Sequence, residues 1–101
     1  MLTEKDYCDY KLVLELKELG YDYIRREGLI HLYDAQKWLR EKENIIVEVF
    51  VDDDSDTPIT YNIYQDGECV CHHHGKYWSV KEWNEALAEG IKEAVKILKD
   101  E

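Results

Sequence analysis

Cys8, Leu12, Leu16 and Leu19 recur at the spacing that places side chains on one face of an α-helix. Thr3 followed by Glu4 and Asp6 supplies an N-cap and an acidic first turn, and Gly20 supplies a stop. The pattern thus predicts a first helix from Thr3 to about Leu19. Tyr23-Ile24-Arg25 and Leu29-Ile30-His31 flank Glu27-Gly28 and read as a short hairpin. A second helix is expected over 33–42, where Ala35, Trp38, Leu39 and Lys42 share a face, with Asn44 as a left-handed cap. Ile45 to Val51 is β-branched and apolar on both alternating faces, which predicts a strand in the middle of a sheet.

Two further strands are expected over 58–65 and 68–74, joined by Asp66-Gly67, the sequence of a type I′ turn. That turn sets Gln65 opposite Glu68. Continued without a break, the register pairs Tyr64 with Cys69, Ile63 with Val70, Asn62 with Cys71, Tyr61 with His72, Thr60 with His73 and Ile59 with His74. Ile59, Tyr61, Ile63 and Val70 then face a core, with His72 and His74 beside them. Thr60, Asn62, Tyr64, Cys69, Cys71 and His73 form a polar face. Ser79-Val80-Lys81-Glu82 is a capping box, and Val80, Trp83, Leu87, Ile91, Ala94, Val95 and Leu98 continue as the clearest amphipathic stripe of the chain. Gly90 beside that stripe predicts a close approach of the last helix to the sheet. The elements assemble into an α+β, two-layer domain of order α-α-β-β-β-α. Its three-stranded antiparallel meander is covered on one face by helices one and three.

With 101 residues, 45% of them apolar and 36% charged, the chain is one domain spanning 1–101, with a core to bury. The net charge of −10 is uneven: residues 1–50 carry 8 Lys and Arg against 11 Asp and Glu, and residues 51–101 carry 5 against 12. An acidic surface repels phosphate backbones and anionic lipid, so direct nucleic-acid and membrane binding are not expected. A protein partner is expected instead, basic or a second copy of the chain as a homodimer. No apolar run is long enough to span a bilayer, and the N-terminus has no signal-peptide pattern, which points to the cytoplasm. Three cysteines, Cys8, Cys69 and Cys71, are too few and too scattered for a disulfide scaffold.

The candidate chemistry is sparse. Cys69, Cys71 and His72-His73-His74 form the one dense cluster of soft metal ligands, with Cys69, Cys71 and His73 as the alternative metal site. On a flat strand those three lie about 7 Å apart per step, too far for one tetrahedral ion, and His31 or Cys8 would have to complete the set. A cysteine nucleophile lacks an orienting partner and an oxyanion turn. Asp52, Asp54 and Asp56 imitate a calcium loop, but Thr57 and Ile63 stand where glycine and glutamate belong. No catalytic residue and no cofactor are therefore assigned. The eight Tyr and three Trp exceed what so small a core hides. Asp52, Asp53, Asp54 and Asp56, with Asn62, Tyr64, Tyr77 and Trp78, are the candidate binding surface of a non-enzymatic interaction module. A nucleic-acid mimic that occupies a DNA-binding protein is its sharper form.

Tyr33-Asp34-Ala35-Gln36-Lys37-Trp38-Leu39-Arg40-Glu41-Lys42-Glu43-Asn44 runs into a strand at Ile45 to Val49, and the chain closes with Tyr77 through Ala86, Leu87 and Ile91 to Leu98. This pattern, Y-x-x-A-x-x-W-L-R-E-K, a strand, a tyrosine-bearing hairpin and an alanine-rich helix, resembles a group of short uncharacterised proteins from gut Bacteroidetes and their phages and prophages. It covers roughly residues 33–98, and the tract 21–32 is shorter than in that group. The resemblance implies an α+β fold and a phage-related setting, and it carries over no site residue.

Overall fold

Asp9, and not Thr3, starts the first helix: its carboxylate accepts from Leu12 N at 2.8 Å, and α1 runs over Tyr10–Glu18. The computed structural model describes residues 6–21, 30–52, 59–72 and 77–100, so Thr3 and the hairpin expected about Glu27-Gly28 lie outside the described residues. The later start has a long-range cause. Tyr7 bridges His31, and Cys8 N donates to Ile30 O at 2.8 Å, which holds the chain extended just before the cap. Gly20, at φ 106, ends the helix as expected.

His31 caps α2, Leu32–Lys42, by accepting from Tyr33 N at its Nδ1. Asn44 follows at φ 55, the expected left-handed link, and the chain enters β1, Ile45–Val51. Next come β2, Ile59–Gln65, and β3, Glu68–His72, joined by Asp66 and Gly67 at φ 54 and 86, the backbone of a type I′ turn. Ser79 and Glu82 make the expected local contact: Ser79 N and Oγ both donate to Glu82 Oε1 at 3.0 Å. They bracket a single 3₁₀ turn, Val80–Glu82, and α3 continues from it over Trp83–Lys99.

The sheet is an antiparallel meander in the order β1-β2-β3, so the fold is the α+β arrangement α-α-β-β-β-α. Its central strand is β2 and not β1. Ile59 to Ile63 are all buried, whereas Ile46 and Glu48 of β1 are exposed. The meander order explains this, because it places the second strand in the middle whatever the composition of the first. Gln36 of α2 covers the outer edge of β1, its side-chain amide donating to Val47 O at 2.7 Å.

Both helices on the sheet lie on one side: α3 rests on β1 and β2, and α2 rests on β1 and α3. The helix paired with α3 over the sheet is thus α2, while α1 packs on α3. One core joins them, with Leu12 and Leu16 from α1, Leu32, Ala35 and Leu39 from α2, and Leu87, Ile91 and Val95 from α3 closing on Ile45, Val47, Tyr61 and Ile63. Gly90 is where α3 meets the sheet most closely, as its place beside the stripe predicted.

β3 departs from the uninterrupted register. Gln65 pairs with Glu68 and Tyr64 with Cys69, but a bulge follows, and Ile63 pairs with Cys71 and Asn62 with His72. Val70 is the extra residue and is exposed, while Cys71 takes the core-facing place expected for Val70. At the far end Ile59 is bridged by Trp78, where the simple register put His74. Strand positions 73 and 74 lie outside the described residues.

Candidate functional site: the open face of the sheet

On the side away from the helices, the register sets Ile46 opposite Tyr64, Glu48 opposite Asn62 and Phe50 opposite Thr60. Side chains of such cross-strand pairs share a face. Ile46 is 42% exposed, Glu48 is exposed and Phe50 and Tyr64 are half-buried, so a mixed apolar and acidic strip runs along β1 and β2. Thr60 and Asn62, at 3% and 8% exposure, form its floor. Tyr64 leans along its strand toward Asn62, whose Nδ2 lies 3.4 Å from the tyrosine hydroxyl. Asn62 Oδ1 is buried and has no hydrogen-bond partner among the described residues.

Charge is divided between the two layers. Between Lys42 and Lys76 the sequence contains no Lys or Arg and eight Asp or Glu, so the sheet and its connections hold anions alone. The described cations belong to the helical layer, where two of them tie α3 to α1. Lys92 meets Asp9 at 2.9 Å, and Lys99 meets Glu15 at 3.5 Å and Glu18 at 3.2 Å. A groove of about 280 Å³ between α1 and α3 is lined by Lys11, Lys92 and Lys96 together with Asp9, Glu15, Glu89 and Glu93, so cations and acids are mixed there. Among the described residues Glu48 has no ion-pair partner. The stretch without Lys or Arg therefore lies on the sheet side.

The expected site residues divide. Asn62 and Tyr64 lie on the open face, and Asp52 sits half-buried at its end, just after β1. Asp53, Asp54 and Asp56 lie outside the described residues. Tyr77 is half-buried. Trp78 is a core residue and not a surface anchor: it is 7% exposed, its backbone N–H donates to Ile59 O at 2.9 Å, and its ring lies 5.9 Å from that of Tyr61. Ile46, Glu48 and Phe50, which complete the strip, went unmarked by motif reasoning. The absence of any cation from 43 to 75 was the signal in the sequence that could have found them.

The bulge also rearranges the thiols. Cys69 is exposed, whereas Cys71 packs against the core, so the two do not form the expected row on one polar face. His73 lies outside the described residues. His31 has its Nδ1 engaged in capping α2, and among the described residues no three His, Cys, Asp or Glu side chains converge. Burial, then the charge of Glu93, pushes the Cys71 thiol up, and burial together with Asp9 pushes that of Cys8 up to about 12. Both are held as neutral thiols near pH 7, the less nucleophilic form.

Compared with protein families, with curated proteins and with solved structures, the chain matches none. No helix among the described residues is long and apolar enough to cross a membrane.

Proposed function

We propose that this chain is a non-enzymatic protein-interaction module that receives a basic protein partner on the open face of its sheet. The observation that carries the reading is the segregation of charge: eight Asp or Glu and no Lys or Arg between Lys42 and Lys76, on a layer whose free face exposes Ile46 and Glu48. Apolar area supplies affinity and uncompensated acid supplies steering and selectivity for a basic surface. A DNA-binding protein is one such partner, with the acidic layer in the place of the phosphate backbone. The setting proposed is a cytoplasmic accessory protein of phage or prophage, supported by three free cysteines and by the pattern over residues 33–98.

Capture from lysate at low salt, followed by salt elution, tests the reading with two charge-matched variants. Glu48→Gln with Asp52→Asn should abolish recovery of the salt-eluted protein. Glu41→Gln with Asp100→Asn, which removes as much charge from the helical layer, should leave it intact. Equal recovery by both variants, or nothing recovered by the native chain at low salt, would overturn the proposal.

A further inference from the structure

We propose that the open face takes up one arginine side chain of the basic partner, its guanidinium lying against the Tyr64 ring, paired with Glu48 and donating to Asn62 Oδ1. The inference rests on the reading of the sheet as the docking face for a basic protein, and it names the group that this face recognises.

Asn62 is the starting point. It lies in the middle of the central strand, only 8% exposed, in a position that a valine or isoleucine would fill without leaving a polar atom unsatisfied. Among the described residues its amide has one hydrogen-bond partner, the Tyr64 hydroxyl, which Nδ2 meets at 3.4 Å, and its oxygen has none. Turning the amide round would give the oxygen to the tyrosine and strand both hydrogens of the NH₂ group, so the oxygen is the end left over. A buried acceptor without a donor opposes folding, and such groups in native proteins call for a specific explanation.

The surroundings select the donor. Glu48 stands directly across from Asn62 in the β1-β2 register, exposed and without a cation among the described residues. A ligand that satisfies the amide oxygen while touching Glu48 must donate hydrogen bonds and carry positive charge. Tyr64 forms the wall. Its hydroxyl contact to Asn62 Nδ2 is long, so little hydrogen bonding is lost when the ring turns aside and presents its face to the incoming group. Of the two basic side chains, arginine fits better. Its planar fork can reach a carboxylate and an amide oxygen together and stack on an aromatic ring, whereas an ammonium is a compact, strongly hydrated point charge.

Calorimetric titration with two basic peptides of equal length, one all-arginine and one all-lysine, separates this site from the general acidity of the face. The native chain should bind both, the arginine peptide roughly fivefold tighter, and the Asn62 side-chain amide resonances should move with it. Asn62→Val and Glu48→Gln should each reduce the two affinities to near equality. Asn62→Val should at the same time raise the melting temperature, which shows that lost discrimination is not lost folding. Equal affinity of the native chain for the two peptides, or a preference that survives in either variant, would overturn the arginine site and leave the acidic docking face standing. Failure of both peptides to bind the native chain would overturn the docking face as well.

Discussion

Gly90 of α3 and Val47 of β1 leave no room for a side chain between them: a β-carbon on residue 90 would stand 2.5 Å from Val47 Cγ1 and 3.3 Å from the Tyr61 ring. Two effects of Gly90→Ala oppose each other. Helix propensity favours alanine by about 1 kcal/mol, and overpacking a filled core costs about 1–3 kcal/mol. Val47 and Tyr61 are each 1% exposed and have nowhere to retreat, so the clash wins. Gly90→Ala should lower the stability measured by urea unfolding, by up to about 2 kcal/mol. Adding Val47→Ala removes the methyl that is struck, and the double variant should be more stable than the sum of the two single changes predicts, by at least about 0.5 kcal/mol. Additive losses would mean that the contact does not limit the packing of α3.

Asn44 and Asp66 tie the entry of β1 to the β2-β3 turn, through Asn44 Nδ2 to Asp66 Oδ1 at 2.7 Å and Asp66 N to Asn44 O at 3.2 Å. Both residues have positive φ. Asn44→Ala loses the side-chain bond and leaves a β-carbon in the left-handed region without the local hydrogen bonding by which asparagine tolerates it, a loss of about 1–2 kcal/mol. Asn44→Gly loses the same bond without the strain and should cost clearly less. Equal losses by denaturant titration would show that the hydrogen bond and not the backbone conformation matters at this corner.

Local chemistry made much of this fold legible. Asp66-Gly67 gave the turn, Ser79 and Glu82 gave the start of the last helical segment, and Gly90 gave the point of closest approach, because each depends on neighbours in sequence. The start of α1 was not legible, since Thr3 and Asp9 are both competent caps and the choice is made by pairing of Tyr7 and Cys8 with residues more than twenty positions away. The bulge at Val70 escaped for a similar reason. A turn fixes the first pairs of a hairpin, but whether valine or cysteine then faces the core is decided by what the helices bring there. Trp78 looked like a surface aromatic because its bridge to Ile59 cannot be read from either segment alone. Of the candidate site, the placing of Asn62 and Tyr64 away from the helices followed from alternation along β2, while the burial of Asn62 did not, since alternation assigns a face and not its cover.

The bulge makes a direct prediction about thiol reactivity. In the native state at neutral pH, alkylation followed by mass spectrometry should modify Cys69 first and Cys71 much more slowly, with Cys8 protected until the chain unfolds. Exposure sets the first place and burial the last, since Cys8 is 5% exposed and its thiol is pushed up to about 12. The uninterrupted register would instead leave Cys69 and Cys71 alike on the polar face. Matching rates for the two would therefore remove the bulge.

Asp9 couples the start of α1 to α3 and should make stability depend on acidity in a defined window. Its carboxyl is held below the usual aspartate range, first by the backbone N–H of Leu12 and then by Lys92. Lys92 is correspondingly raised, chiefly by its hydrogen bond to Asp9. A depressed carboxyl pKa means that the unfolded chain binds the proton more readily, so the stabilisation is complete above about pH 4 and disappears as pH falls through the folded value. The raised lysine acts in the opposite sense, and its share is lost only as pH rises past its ordinary value of 10.5. Asp9→Asn keeps a capping oxygen and removes the charge, so it isolates the pair with Lys92 from the cap. The pair is about half exposed, which limits it to about 0.2–1 kcal/mol. The stability difference between native chain and Asp9→Asn should be flat from pH 5 to 9 and shrink below about pH 4. Asp9→Ala should lose about 1 kcal/mol more than Asp9→Asn at neutral pH, because it removes the cap as well. A difference that instead grows on acidification would reverse the sign of the linkage and show that Asp9 is not stabilised as a carboxylate.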